Sequence, residues 1–489
     1  MSIDQGTTGT TVIIIDQVGG LVASSDFDFK QIYPQPGWVE HNPEDIWQSV
    51  KFSALDAIKK AKLKPSDILT LGITNQRETV VAWRKSNSKV LHNAIVWQCR
   101  RTHEMCRKLK PKWEKYIIQK TGLLLDPYFS GTKIRWLMEN SQEVQKAYQE
   151  NDLAFGTVDT FLLWKLTDGQ SYMTDVSNAS RMLMMDLKTL KWDKTLVKLF
   201  KINKNCLPEI KSTADFFGYA KKCHFLSNKT SINALVGDQQ AALFGQTCFD
   251  AGDIKCTFGT GSFILMNTGS RIIRSKNRLL TTVAWKIKNN PAQYALEGGA
   301  FICGAAVTWL CDGLGLIKSS SEIESLANSV KTTEGVEFVP ALTGLSAPYW
   351  NPTATGLITG LTRGSTSGHI ARATLEAMAL QNTEILKIMN KDSKKKTKLI
   401  RVDGRASDNN LLMQLQSDYT QTKVARPQQI ESTAFGAAYL AGLSYGIWKN
   451  LNQIKLLSKI DKQFYPKMSK KELSLRFLNW SKAVSKVQT

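Results

Sequence analysis

Histidine and closely spaced cysteine are what this chain of 489 residues has least of. Its five histidines, His41, His92, His103, His224 and His369, form no spaced cluster, and none of the eight cysteines, at 99, 106, 206, 223, 248, 256, 303 and 311, has a partner at the spacing of a zinc or redox pair. No metal site built on them is expected, and the thiols read as buried groups in a reducing compartment. No apolar run reaches the ~18 residues that a membrane span needs, and MSIDQGTTGT lacks the basic-then-apolar layout of a secretory signal, so a cytoplasmic protein is expected. Acidic residues are in deficit too: 42 Asp plus Glu against 64 Lys plus Arg leave a formal charge of +22. Such an excess favours anionic partners, with nucleic acid, anionic lipid and nucleotide phosphate all open. The cations are scattered, without a stripe of interleaved aromatics, so no nucleic-acid face is expected. The one dense run, Lys391 to Lys398, reads as a solvated connection.

What is present is an ordinary globular composition, 42% hydrophobic and 22% charged, which excludes a disordered or collagen-like chain. At roughly 150 residues per domain the length makes two or three domains. A short strand ending at Asp4, the Gly/Thr loop Gly6 to Thr11 and the apolar run Val12 to Ile15 read as two strands joined by a tight polar turn. Asn42-Pro43-Glu44-Asp45 supplies an N-cap, a first-turn proline and first-turn acids for a helix reaching about Lys62. Strands at Leu69 to Thr74 and Val80 to Trp83, and helices at Pro127 to Glu139 and Glu143 to Gln149, continue an α/β alternation. Near residue 250 the opening pattern restarts: Ile254 to Phe258, the turn Gly259-Thr260-Gly261-Ser262, then Phe263 to Met266. Two similar halves, 1–247 and 248–489, facing each other across a cleft are expected.

Gly/Thr turns point several backbone N–H groups one way and add hydroxyl donors, which can hold phosphate without a P-loop lysine; most such turns are plain hairpins. Asp4 beside the first turn strengthens the phosphate reading, because a carboxylate there can hold Mg²⁺ with water completing the shell. Asp238 lies between the apolar segment Ile232 to Val236 and the helical run AALFGQ. It reads either as a helix N-cap or as a carboxylate facing the cleft that accepts a hydroxyl proton. Arg77-Glu78 is either a solvated ion pair or, given its apolar flanks LTLGIT and VVAW, a polyol-binding pair near the cleft.

The segments QIYPQPGWVEHNP, GITNQRET, AIVWQCRR, TGLLLDPYFSGTK, FGTVDTFLLWK, TDVSNASR, GDQQAALFGQ, TFGTGSF, ALEGGAF, APYWNP, GLTRG and STAFGAAYLAGL resemble, in order and over essentially the whole chain, the glycerol-phosphorylating members of the FGGY carbohydrate kinase family. The resemblance implies two α/β domains of the actin/hexokinase (ribonuclease H-like) ATPase type with the active site between them, and ATP and Mg²⁺ as the nucleotide and its metal. By position it makes Asp238 the general base. Arg77, Glu78, Tyr128 and Gln239 would bind the glycerol hydroxyls, with Trp97 and Phe263 walling the carbon backbone. Asp4 would lie near Mg²⁺, Thr7, Thr8 and Thr260 would contact phosphates, and Gly304 and Asn409 would belong to the nucleoside pocket. Related pentulose kinases lack this Arg-Glu and Trp combination, which favours glycerol over a sugar. Closure of the domains over both substrates and a homo-oligomer, dimer or tetramer, are further expectations.

The chain departs from the family pattern at several positions. Thr11 stands where an Arg is usual, Arg405 replaces a Gly beside the nucleotide, Thr308 a Gln, and Asn351 an Asp. Arg405 either blocks the adenine pocket or swings aside to stack on the base or reach a phosphate. Only Met1 to Ile3 precede Asp4, so a short, weakly paired first strand is expected. His224 falls where some members carry a histidine phosphorylated by the sugar phosphotransferase system; an exposed loop histidine without a role is the plain alternative. A scaffold protein that keeps the polyol pocket but handles ATP poorly, and a kinase for another small polyol or sugar, compete with the main reading.

Overall fold

The computed structural model describes residues 1–488. Two large mixed sheets organise the chain. The first has six strands in the order Ala214–Tyr219, Ser231–Gly237, Thr70–Asn75, Ser2–Gln5, Gly9–Ile15 and Leu21–Asp28; the second has seven, Leu280–Trp285, Gln293–Ala300, Ser262–Gly269, Ile254–Phe258, Leu399–Asp403, Lys423–Pro427 and Ile460–Phe464. The sequence repeat is a topological one. In each sheet a strand, a Gly/Thr turn and an antiparallel return strand form a hairpin, and its first strand pairs in parallel with a strand arriving later, Thr70–Asn75 in one case and Leu399–Asp403 in the other.

The first strand corrects its expectation. Ser2–Gln5 is short, but it sits in mid-sheet, paired along all four residues with Gly9–Ile15 on one side and Thr70–Asn75 on the other. A central strand has both edges satisfied, so its length costs it little pairing. The helix Pro43–Ala61 forms as its signals require: the Asn42 side chain accepts from the Glu44 N–H at 3.0 Å, and Ile46, Val50, Ala54, Ala57 and Ile58 form its buried stripe. A four-stranded sheet containing Glu40–His41, Val90–Ile95, Val80–Arg84 and Leu153–Gly156 flanks the first.

The halves exchange helices. Ser432–Tyr445, from the second half, packs on Thr70–Asn75 and Ser231–Gly237 of the first sheet, while Asp238–Gly245 lies between the two sheets. The two helices cross where a Cβ on Gly436 would run into the Ala241 carbonyl and one on Gly245 into the Ser432 carbonyl, so glycine is required on both sides of the crossing. One buried cluster around them draws Ala234 and Val236 from the first sheet and Leu265 and Ala295 from the second. Among the described residues no helix is long and apolar enough to cross a membrane.

Candidate active site

Three neighbouring parallel strands of the first sheet deliver the chemistry to one edge. Ser2–Gln5, Thr70–Asn75 and Ser231–Gly237 align Gln5, Asn75 and Gly237 at their carboxyl ends. Asp4, Arg77 and Asp238 therefore converge where an open α/β sheet places its ligands. Asp238 is not the helix cap: Gly237 takes that position and Asp238 begins the helix. Glycine is needed at 237 because a Cβ would come within 2.8 Å of the Arg77 Cδ.

Arg77 is the hub. Its Nε is 3.0 Å from Asp238 Oδ1, its Nη1 and Nη2 donate to the two Glu297 carboxylate oxygens at 2.7 and 2.9 Å, and the same two nitrogens reach Gln240 Oε1 and the Tyr128 hydroxyl, each at 3.3 Å. Glu78, held at a positive φ of 62°, turns its carboxylate to Arg181, whose Nε donates at 2.6 Å and whose Nη2 reaches Glu297 at 3.1 Å. The Arg77-Glu78 pair is thus buried, which rejects the solvated reading. Arg77 and Glu297 side chains are 2% exposed and Asp238 is 28% exposed, so Asp238 is where this network meets solvent. Burial alone would raise the Glu297 carboxyl, but Arg181 and Arg77 overcome it and bring the pKa down to about 2. Glu78, buried beside the same cations, is nonetheless raised.

The aromatic side chains of Trp97, Tyr128 and Phe263 come together. The Trp97 ring centroid lies 5.6 Å from that of Tyr128 and 6.3 Å from that of Phe263, and its Nε1 donates to Thr7 Oγ1 at 3.0 Å, tying the wall to the first Gly/Thr turn. Gln239 is held by Lys255, whose buried ammonium donates to the Gln239 side-chain oxygen and, at 2.8 Å, to Thr257. The Tyr128 turn is held by Lys133, whose ammonium donates to the carbonyls of Pro127, Tyr128 and Phe129 at 2.8, 2.5 and 3.2 Å.

At the second Gly/Thr turn, the Cys303 and Ala305 N–H groups donate to the Thr260 carbonyl and the Gly304 N–H to the Gly259 carbonyl, at 2.9 to 3.0 Å, so Gly304 and this turn are brought together. Thr8 is exposed on the first turn. Asn409 caps the helix Asn410–Thr420 through Leu412 N at 2.8 Å. Thr11 donates to Asp26 at 2.6 Å. Arg405 is exposed and lowers the pKa of Glu431, which burial and Asp26 raise. Thr308 is exposed, and Asn351 caps its own turn through Thr353 N at 3.0 Å. His224 is exposed on the loop before Ser231–Gly237, at the opposite end of that strand from Asp238, roughly 20 Å away for a strand of this length.

Among the described residues no group of three or more His, Cys, Asp or Glu is arranged to hold a metal by itself. Mg²⁺ needs less, commonly one carboxylate with phosphate and water. Asp4 suits it: burial, then Asp238, Glu431 and Asp26, push its carboxyl well above the usual range, and a divalent cation would relieve that crowding.

Sequence reasoning missed Arg181, Gln240, Glu297, Lys255 and Lys133. For Glu297 and Lys255 a signal existed, a lone charge within the apolar strands Gln293–Ala300 and Ile254–Phe258, since such a charge is buried only when paired.

Family models of the FGGY carbohydrate kinases match the chain, the N-terminal domain over residues 1–245 and the C-terminal domain over 254–445. A glycerol kinase of Bdellovibrio bacteriovorus is 58% identical over 488 residues, covering 100% of this chain and 99% of the relative. Glycerol kinase 2 of Thermotoga maritima is 48% identical over 99% of this chain and 98% of its own. The crystal structure of Plasmodium falciparum glycerol kinase with ADP superposes with a TM-score of 0.91 at 38% identity, over 99% of this chain and 97% of that one.

Proposed function

The chain belongs to the FGGY family of carbohydrate kinases, and from that premise we propose that it is an ATP-dependent glycerol kinase that forms sn-glycerol 3-phosphate. The observation that carries the reading is the Arg77-Asp238 pair, 3.0 Å apart, in which a buried polar network ends at a part-exposed carboxylate.

A three-carbon triol offers little apolar area, so it is selected by polar groups left unpaired when a wrong substrate binds. Arg77, Glu78, Tyr128 and Gln239 supply those groups, and Trp97 and Phe263 cover the carbon face. Asp238, the exposed end of the network, takes the proton of the attacking hydroxyl as its oxygen forms a bond to the γ-phosphorus and ADP leaves. Thr7, Thr8 and Thr260, with their backbone N–H groups, hold phosphate oxygens from the two lobes, while Gly304 and Asn409 border the nucleoside. Asp4 would hold Mg²⁺ through water, and the ion would neutralise charge on the β- and γ-phosphates. Thr11 is neutral and occupied by Asp26, so Arg405, the exposed cation near Glu431, supplies positive charge on the phosphate side. Closure of the halves about the glycine crossing of Asp238–Gly245 and Ser432–Tyr445 excludes water from the transfer.

The test is ADP release with and without glycerol. Release that depends on glycerol supports the reading, and Asp238→Asn is expected to bind glycerol nearly as the parent does while losing ~10²-fold or more in kcat. Equal ADP release in both conditions, or unchanged turnover in Asp238→Asn, refutes it.

A further inference from the structure

The side chains assigned to the alcohol hydroxyls sit on the first half of the chain, yet charges that hold them come from the second. Glu297, on the strand Gln293–Ala300, lies 220 residues from Arg77 and grips it through both carboxylate oxygens. Lys255, on Ile254–Phe258, crosses the same boundary to the amide oxygen of Gln239. We propose that Glu297 and Lys255 are positioning residues for alcohol recognition, holding Arg77 and Gln239 from across the two halves so that the hydroxyl-binding geometry exists only when the halves are correctly apposed. The proposal rests on the glycerol kinase reading.

The division of contacts around Arg77 supports it. A guanidinium has five N–H donors. Here one faces Asp238, two are taken by Glu297 at 2.7 and 2.9 Å, and two reach Gln240 and Tyr128 at 3.3 Å each. The two long, neutral contacts are the ones an incoming hydroxyl can displace. The two short, charge-assisted bonds to Glu297 form a planar fork that fixes both the position and the plane of the guanidinium while that exchange occurs. Glu297 extends the same control to Glu78, because Arg181 bridges the two carboxylates at 2.6 and 3.1 Å. Arg181 is itself pinned, its guanidinium 5.2 Å from the Phe129 ring and 5.6 Å from that of Tyr128. A single carboxylate of the second sheet therefore sets two of the four polar side chains assigned to the alcohol and borders a third, Tyr128. Lys255 sets the fourth, Gln239. Glu297 spends its oxygens on Arg77 and Arg181, and Lys255 its ammonium on Gln239 and Thr257, so both act through the residues they hold.

A residue that only supports the fold lowers stability and activity towards every substrate alike. One that positions Arg77 changes which alcohols are told apart. The full-length chain is assayed for coupled ADP release with glycerol, propane-1,2-diol and propane-1,3-diol, each diol lacking one hydroxyl. The parent is expected to prefer glycerol by about 100-fold or more in kcat/KM, as a site that hydrogen-bonds its substrate rejects an analogue lacking the group. In Glu297→Gln, which keeps shape but removes the charge and one acceptor, that preference is expected to shrink at least about tenfold. The loss is expected to fall mainly on the KM for glycerol, with the KM for ATP within about threefold of the parent. Lys255→Met is expected to shift the ratio the same way. If Glu297→Gln does not fold, Glu297→Asp, which withdraws the charge by one methylene, is read on the same ratio. A parental preference in any folded variant of Glu297 overturns the assignment, as does failure of all these variants to fold, which would make the residues structural supports only. A parent chain that releases no ADP with any of the three alcohols instead refutes the glycerol kinase reading itself.

Discussion

Raising the pH should loosen the alcohol site through Lys133, a residue that touches no substrate. Its ammonium is completely buried against the carbonyls of Pro127, Tyr128 and Phe129, and burial lowers its pKa from 10.5 to about 8 despite the opposing pull of Glu78 and Asp126. An ammonium has three donors for three carbonyls; a neutral amine has two and turns a lone pair towards the third. At pH 9 a group titrating at about 8 is about nine-tenths neutral. The turn then loses about one hydrogen bond, worth ~1 kcal/mol or somewhat more because the donor is charged. The Tyr128 hydroxyl, already 3.3 Å from Arg77, is the group set adrift, so the KM for glycerol should rise roughly three- to tenfold between pH 7 and 9. Burial pushes the neighbouring Cys106 thiol up to about 12 and raises the Tyr128 phenol, which moves both out of that window. The effect on stability has the opposite sign. A lysine whose folded pKa is depressed binds fewer protons folded than unfolded between pH 8 and 10.5, so its contribution to stability rises with pH there, by about 3 kcal/mol for a shift of this size. Steady-state KM for glycerol from pH 6.5 to 9.5, in the parent and in Lys133→Met, decides the matter: the variant should have a raised KM without the step. A step of the same size in Lys133→Met, or a flat KM in the parent, refutes the reasoning.

Two further outcomes test the nucleotide side. Replacing Arg405 with Ala should raise the KM for ATP about tenfold or more without changing the KM for glycerol, because a cation near the phosphates is lost; a lower KM for ATP would mean that the side chain obstructs the nucleotide instead. Asp4→Asn relieves the crowding of carboxylates that raises Asp4, so the folded protein should be as stable as the parent or more so by thermal unfolding, while the Mg²⁺ concentration for half-maximal activity increases several-fold; an unchanged metal requirement would place Mg²⁺ elsewhere.

Local features were legible in the sequence, and so was the pattern of two hairpins. The Asn42 cap, the stripe Ile46-Val50-Ala54-Ala57 and the turns at Gly6 and Gly259 follow from forces acting within one or two turns of chain. Arg77 and Asp238 were readable as charges placed just after apolar strands, although whether each faced solvent or cleft was not, since that depends on the neighbouring strand. What the sequence concealed is long-range and paired. The Arg77-Glu297 and Glu78-Arg181 contacts span 220 and 103 residues, and a lone charge in an apolar strand announces that a partner must exist without naming it. The expectation of a weak first strand failed for the same reason: length is local, whereas the two neighbours that satisfy Ser2–Gln5 are supplied by the sheet.

The exchanged helices show why these hidden pairs belong to function as well as to the fold. Because Ser432–Tyr445 packs under the first sheet and crosses Asp238–Gly245, the helix that begins with Asp238 is held by elements of both halves. Its first residue faces Arg77, its second is tied to Lys255 and its third reaches Arg77 and the strand Leu280–Trp285, where Gln240 donates to the Val283 carbonyl at 3.2 Å. Relative motion of the halves therefore acts on the short helix that carries the proposed base, so apposition of the lobes and orientation of the carboxylate are coupled. Such coupling penalises phosphoryl transfer from a misaligned, water-filled cleft, where the carboxylate would activate the wrong hydroxyl.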